Sequence, residues 1–275
     1  MPNARQFFEE TFRPAKLLIE VYRLLDNDGI QTEHDWIKQL RPLVGAGADE
    51  ELMLLWNGVF LGLVMEAASV RKSSLRRDVL KNLLRQSIVC GCTAMESFLQ
   101  VLLEEQLETS IRLRRYEVWS AADRETQNFL VRFNLGLEGA LSMIFGDGDA
   151  SGLLARKLMT YFKDSGLGTD KAVKTVGVLL GLNAPWEMIA DHLVRDEQEL
   201  IKATTYVFKR RNDIVHRGDR EKGQETGPRQ DLTFEWTKQS VETVENICLT
   251  LGELVQRRIA ELRALSDLQE EPLAQ

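Results

Sequence analysis

Residues 74–114 read SLRRDVLKNLLRQSIVCGCTAMESFLQVLLEEQLETSIRLR, and this stretch decides the fold. Leu80, Leu83, Leu84, Ile88, Cys92, Met95, Leu99, Leu102 and Leu103 recur at steps of one, three or four residues. That spacing places them along one side of a helix. No proline interrupts the run, and Gly91 is its one point of possible bending. A helix of about forty residues is several times the ordinary length, so it predicts a spine around which other helices pack.

Helical spacing continues on both sides of the spine. Phe8, Phe12, Leu18, Val21 and Leu25 mark an N-terminal helix in which Pro14 offers a restart point. Asp26-Asn27-Asp28-Gly29 closes it with turn residues. A short helix is expected at 33–43 and an apolar one at 50–69, capped by Asp49. Within the latter, Leu52–Met65 is too short for a membrane span, which needs about 20 apolar residues. Beyond the spine an amphipathic helix is expected at 123–145. The glycine-punctuated segment 146–192 predicts short helices at 151–162, 170–180 and 185–193. Two further helices are expected, at 196–216 and 232–265, joined by the polar loop 217–231. No alternating run of strand type stands out, so the expected class is all-α.

Composition narrows the function classes. The chain has 275 residues, 44% hydrophobic and 28% charged, which suits a globular core and excludes a disordered or collagen-like chain. Three cysteines are an odd and sparse set, consistent with a reducing cytoplasm rather than a disulfide framework. The N-terminal segment has no basic region followed by an apolar one, so no signal peptide is expected. A formal charge of −7 excludes a generally basic nucleic-acid coat. Two short segments run against it. Residues 71–85 carry six Lys or Arg against one Asp, and residues 209–222 carry six against three acidic side chains.

Several patterns imitate sites. Asp147, Asp149, Ser151 and Gly152 resemble the start of a calcium loop, but its twelfth position is Leu158 rather than a bidentate Glu. Cys90 and Cys92 have no second pair to complete a zinc site. Neither a metal nor a cofactor is expected. Of three histidines, His34 and His192 read as surface or capping residues.

His216 is different. It closes Lys209-Arg210-Arg211-Asn212-Asp213-Ile214-Val215-His216-Arg217-Gly218. Cleaving RNA without metal needs a base for the 2′-OH proton, an acid for the leaving 5′-oxygen and a cation for the phosphorane. An imidazole serves the first two roles and a guanidinium the third. Asn212 lies four residues before His216, on the same helix face, where it can orient the ring. Arg211 lies five before, about 140° round an ideal helix. Convergence therefore needs the helix to end near His216, with Gly218 as terminator, or two copies facing each other.

Arg211, Asn212, His216 and Gly218 resemble the R-x4-6-H motif of the HEPN superfamily, the higher eukaryotes and prokaryotes nucleotide-binding domain. Cys92-Thr93-Ala94-Met95-Glu96-Ser97-Phe98-Leu99 is similar to that family's first long helix, and residues 75–265 fit its extent. The resemblance implies an up-down helical bundle at 71–275 with a helical insertion at 146–192 and accessory helices at 1–70. It also implies a metal-independent endoribonuclease, a toxin or antiviral effector. Arg211 and His216 would be catalytic, Asn212 supportive, and Glu96 a partner for Arg211 or Asn212. Lys209, Arg210, Arg217 and Arg220 would face RNA. The implied partners are RNA, a second copy sharing one composite site, and an antitoxin or sensor protein, with no membrane. The alternatives are a non-catalytic interaction module or a nucleotide binder.

Overall fold

The computed structural model describes residues 3–26, 53–55, 60–62, 77–114, 150–165, 167, 170–223 and 226–270. Seven helices carry the described structure: α1 (Ala4–Asp26), α2 (Arg77–Leu113), α3 (Ala150–Ser165), α4 (Asp170–Leu179), α5 (Pro185–Leu193), α6 (Glu197–Arg217) and α7 (Phe234–Glu270). The protein is all-α in its body. The expected spine is α2, the expected short helices at 151–162, 170–180 and 185–193 are α3 to α5, and the last two expected helices are α6 and α7. The helices expected at 33–43 and 123–145 lie outside the described residues.

One expectation is overturned. Residues 50–69 do not form one continuous apolar helix, because Met53–Leu55 (β1) and Phe60–Gly62 (β2) pair as a short antiparallel ladder. Leu55 faces Phe60, and the intervening sequence holds Asn57-Gly58, a dipeptide that favours hairpin turns. That signal outweighs the apolar character of the segment.

Side chains on several faces of α2 are buried. Leu84, Ile88, Cys92, Met95, Leu99, Leu102, Leu103 and Leu107 are inaccessible to solvent or nearly so. By length and composition α2 could cross a bilayer, but more than half of its apolar stretch is covered by the protein itself. The same core takes in Phe8, Phe12, Ala15 and Ile19 of α1, spaced four, three and four apart, and Val244, Ile247, Leu251, Val255 and Ile259 of α7. Phe8 meets Phe98 edge-on at 5.2 Å between centroids. Thus α1 shares one core with α2 and α7. Leu158 and Phe162 of α3, Val173, Val176 and Leu179 of α4, and Trp186 and Ile189 of α5 belong to it too.

Local chemistry sets the ends of these helices. Asn3 Oδ1 accepts from Gln6 N at 2.8 Å and starts α1. Pro14 is exposed and α1 runs straight through it, so it does not restart the helix. The backbone carbonyls at the end of α4 receive long-range donors. Ser110 Oγ donates to Leu179 O at 3.0 Å, and Arg114 Nη1 to Val178 O at 3.1 Å. These satisfy acceptors that an α-helix leaves open.

Two glycines are expected to respond oppositely to alanine. A Cβ on Gly177 would sit 2.5 Å from Pro185 Cγ, a rigid ring at the start of α5. A Cβ on Gly91 would meet Phe12, Val241 and Ala15 at 3.6 to 3.9 Å, ordinary contact distances. Gly177→Ala should cost about 1–3 kcal/mol through overpacking. Gly91→Ala should gain up to about 1 kcal/mol through helix propensity. Urea unfolding midpoints at constant m-value measure both.

Candidate functional site

The site is built at the C-terminal end of α6. Asp196 starts that helix, its carboxylate accepting from Glu199 N at 2.8 Å. Leu200, Thr204, Val207 and Phe208 turn inward and fix which face looks out. The helix ends at Arg217, one residue beyond His216. Gly218 (φ 58°) and Asp219 (φ 66°) then take left-handed backbone, and both N–H groups reach back to Asp213 O. Such dihedrals suit glycine and are tolerated by aspartate.

Asp219 is completely buried and anchors this turn. Arg85 of α2 donates from Nε to Asp219 Oδ2 at 2.5 Å. Arg210 of α6 donates from Nη2 to the same oxygen at 3.2 Å. Its Nε lies 2.8 Å from Oδ1 as an ion pair, out of line for a hydrogen bond. Arg210 also donates to Gln230 Oε1 at 2.9 Å and to Asp231 O at 2.8 Å. Gln230 N closes the ring on Asp219 O at 2.8 Å. One carboxylate therefore ties α2, α6 and the 229–231 segment together.

Arg210 is accordingly not an RNA-facing side chain as it stands. It is 5% exposed, and the carboxylate and carbonyls around it use its donors. Arg217 is half-buried and pairs with Asp213 one turn back. Arg220 donates from Nε to Gly227 O at 2.9 Å and so braces the loop. Of the four expected RNA contacts, Lys209 alone is fully in the exposed class.

Of the two partners that the resemblance offered for Glu96, Arg211 and Asn212, the structure brings Arg211 to it. Arg211 Nη2 lies 3.0 Å from Glu96 Oε1 and donates to Oε2 at 3.2 Å, across from α6 to α2. Its Nη1 donates to Asn212 Oδ1 at 3.0 Å. Asn212 thus holds Arg211, and among the described residues it makes no bond to His216. Burial keeps the Glu96 carboxyl above the ordinary glutamate range, an effect that the neighbouring Arg211 charge only partly offsets. Beside this pair lies Cys92, whose thiol is pushed up to about 12, chiefly by burial, with Arg211 lowering it and Glu96 raising it. Cys92 is a core thiol rather than a nucleophile at neutral pH.

His216 is exposed in the last turn of α6, and among the described residues it has no hydrogen bond or ion pair. Because α6 is continuous from Glu197 to Arg217, Arg211 and His216 are both on helical backbone. They point about 140° apart around the axis. Among the described residues no three His, Cys, Asp or Glu side chains group to hold a metal ion. The sequence reading missed Asp219, Arg85 and Gln230. Its available signal was Gly218-Asp219 after a helix; the pairing with Arg85, 134 residues away, had none.

Comparison with known proteins leaves the assignment to this geometry: no family model matches the chain, and no curated protein or solved structure matches it.

Asp219→Ala should destabilise the protein by about 3–5 kcal/mol in denaturant unfolding, since it leaves two buried guanidinium groups on no carboxylate. The second expectation concerns Glu96. Arg211 lowers its pKa, so Arg211→Ala should raise the carboxyl titration further above its already elevated position. Carboxyl carbon shifts followed from pH 3 to 8 report this directly, and a downward move would contradict the pairing.

Proposed function

We propose that this protein is a metal-independent endoribonuclease of HEPN type, acting as a homodimer on RNA in the cytoplasm as a toxin or antiviral effector. The observation that carries the reading is the arrangement at the end of α6. Arg211 is braced by Glu96 on its buried side, and five residues on His216 stands exposed in the last turn.

The chemistry follows from the residue types. His216 takes the proton of a ribose 2′-OH, whose oxygen attacks the adjacent phosphorus. Arg211 stabilises the added negative charge of the phosphorane with its planar donors. The 5′-oxygen leaves with a proton from a second imidazolium, giving a 2′,3′-cyclic phosphate and a 5′-hydroxyl. One copy has a single exposed histidine here, and its Arg211 points away from it. Two copies facing across an axis would supply base, acid and cation together.

A second reading has its own support. Arg211 already spends donors on Glu96 and Asn212, as a structural residue would. A non-catalytic interaction module would look the same at that position.

Labelled RNA incubated with the purified protein in excess EDTA separates the two. Cleavage to 2′,3′-cyclic phosphate ends is expected, falling roughly a hundredfold or more in His216→Ala with the fold intact. Equal cleavage by His216→Ala, or dependence on added metal, would sink the ribonuclease reading. An intact partner complex with Arg211→Ala/His216→Ala and no cleavage by wild type would favour the module.

A further inference from the structure

Beside the Asp219 anchor, where Arg85 and Gln230 reach the surface, a cavity of about 580 Å³ opens. Asp78, Lys81 and Arg85 of α2 line it on one side, with Arg229, Gln230 and Asp231 on the other. Its size lies within the usual range for small-ligand sites. The described residues that line it are all charged or amide side chains, so a ligand held there would be recognised by charge and hydrogen bonds.

The charge is unbalanced. Arg85 and Arg210 are both buried, and Asp219 is the single carboxylate between them. A surplus buried cation is costly unless an anion comes to it. Arg85 has donors committed at Nε, to Asp219, and at Nη2, to Gln230 O at 3.1 Å. Its Nη1 has no hydrogen-bond partner among the described residues, and Arg85 borders the cavity. Its side chain is 7% exposed, so the guanidinium is held in a fixed orientation. Lys81 and Arg229 add two cations at the rim. Lys81 pairs with Asp231, and Arg229 Nη1 donates to Asn82 Oδ1 at 2.8 Å. The Asp231 side chain is 75% exposed and Asp78 is exposed. Both carboxylates can stay in water while an anion reaches Arg85.

We propose that this cavity binds a phosphate group, with the buried Arg85 guanidinium as its floor and Lys81 and Arg229 closing over it. A phosphate oxygen accepts from Arg85 Nη1, and Lys81 exchanges Asp231 for a second oxygen. Guanidinium and phosphate match in geometry as well as charge. None of the described lining residues offers a ring to stack on a base, so recognition there centres on the phosphate. It is separate from Arg211 and His216, and it does not rest on the ribonuclease reading. The phosphate can come from a strand backbone or from a nucleotide end.

Calorimetry and thermal unfolding of the full chain with inorganic phosphate test it. Phosphate should bind and raise Tm by about 3 °C at ten times its Kd. The rim variant Lys81→Ala/Arg229→Ala, which spares the buried anchor, should bind about tenfold more weakly or worse. The share of phosphate binding that the rim variant loses should persist in Arg211→Ala/His216→Ala, because neither residue lines the cavity. A 2′-O-methyl oligoribonucleotide without terminal phosphates that competes identifies the source as backbone diester. Competition by a nucleoside monophosphate alone identifies a terminal phosphate. The proposal falls if phosphate does not bind, if the rim variant binds it as tightly as wild type, or if neither ester competes.

Discussion

Asp219 holds two arginines from two helices while its own backbone sits in a left-handed turn. That combination of a buried carboxylate, the Arg85 and Arg210 guanidinium groups and a positive φ is what the end of α6 depends on. Burying charge is unfavourable unless it is paired and hydrogen-bonded. Here the carboxylate, its N–H and its carbonyl are all engaged, by Arg85, Arg210, Asp213 and Gln230. The geometry is therefore tightly specified. Gly218 ends α6, and the anchor then fixes the turn that follows, leaving His216 in the helix's final turn.

Two surfaces with different chemistry are built from the helices that the anchor joins. On one, Arg211 leans on Glu96, and His216 faces solvent. On the other, Arg85 borders a cationic cavity with Lys81 and Arg229. The chain as a whole is acidic, so a local cationic surface stands out against it. The two basic segments that stood out in the sequence, 71–85 and 209–222, come together through Arg85 and Arg210 meeting on one carboxylate. Their basic residues divide between framework and surface. Arg85 and Arg210 are framework, Arg217 pairs with Asp213 along α6, Arg220 braces the loop, and Lys209 faces out.

Most of the helical architecture was legible. The spacing of Leu80, Leu84, Ile88, Cys92, Met95 and Leu99 is a strong periodic signal, and these residues are buried as expected. Glycines and Pro185 punctuated 146–192 closely enough to locate α3, α4 and α5. The segment 50–69 was misread because an apolar run carries little periodic information, whereas the Asn57-Gly58 pair carried the turn signal. At the site, Glu96 entered only through the family resemblance, as a partner for Arg211 or Asn212; the packing of α2 against α6 chose Arg211. The role of Arg210 was not readable. Adjacent arginines look alike in a sequence, while helix geometry turns neighbours about 100° apart and sends one inward.

The sequence by itself determined the helices, their inward faces and the point where α6 must stop, since these follow from local spacing, caps and Gly218. Only the tertiary structure decided which charges are spent and which are available. Arg85 and Asp219 are 134 residues apart, and nothing local in either predicts the other. Their pairing arises because α2 and α6 pack side by side on one core, and buried charge must find its partner wherever that packing brings one within reach.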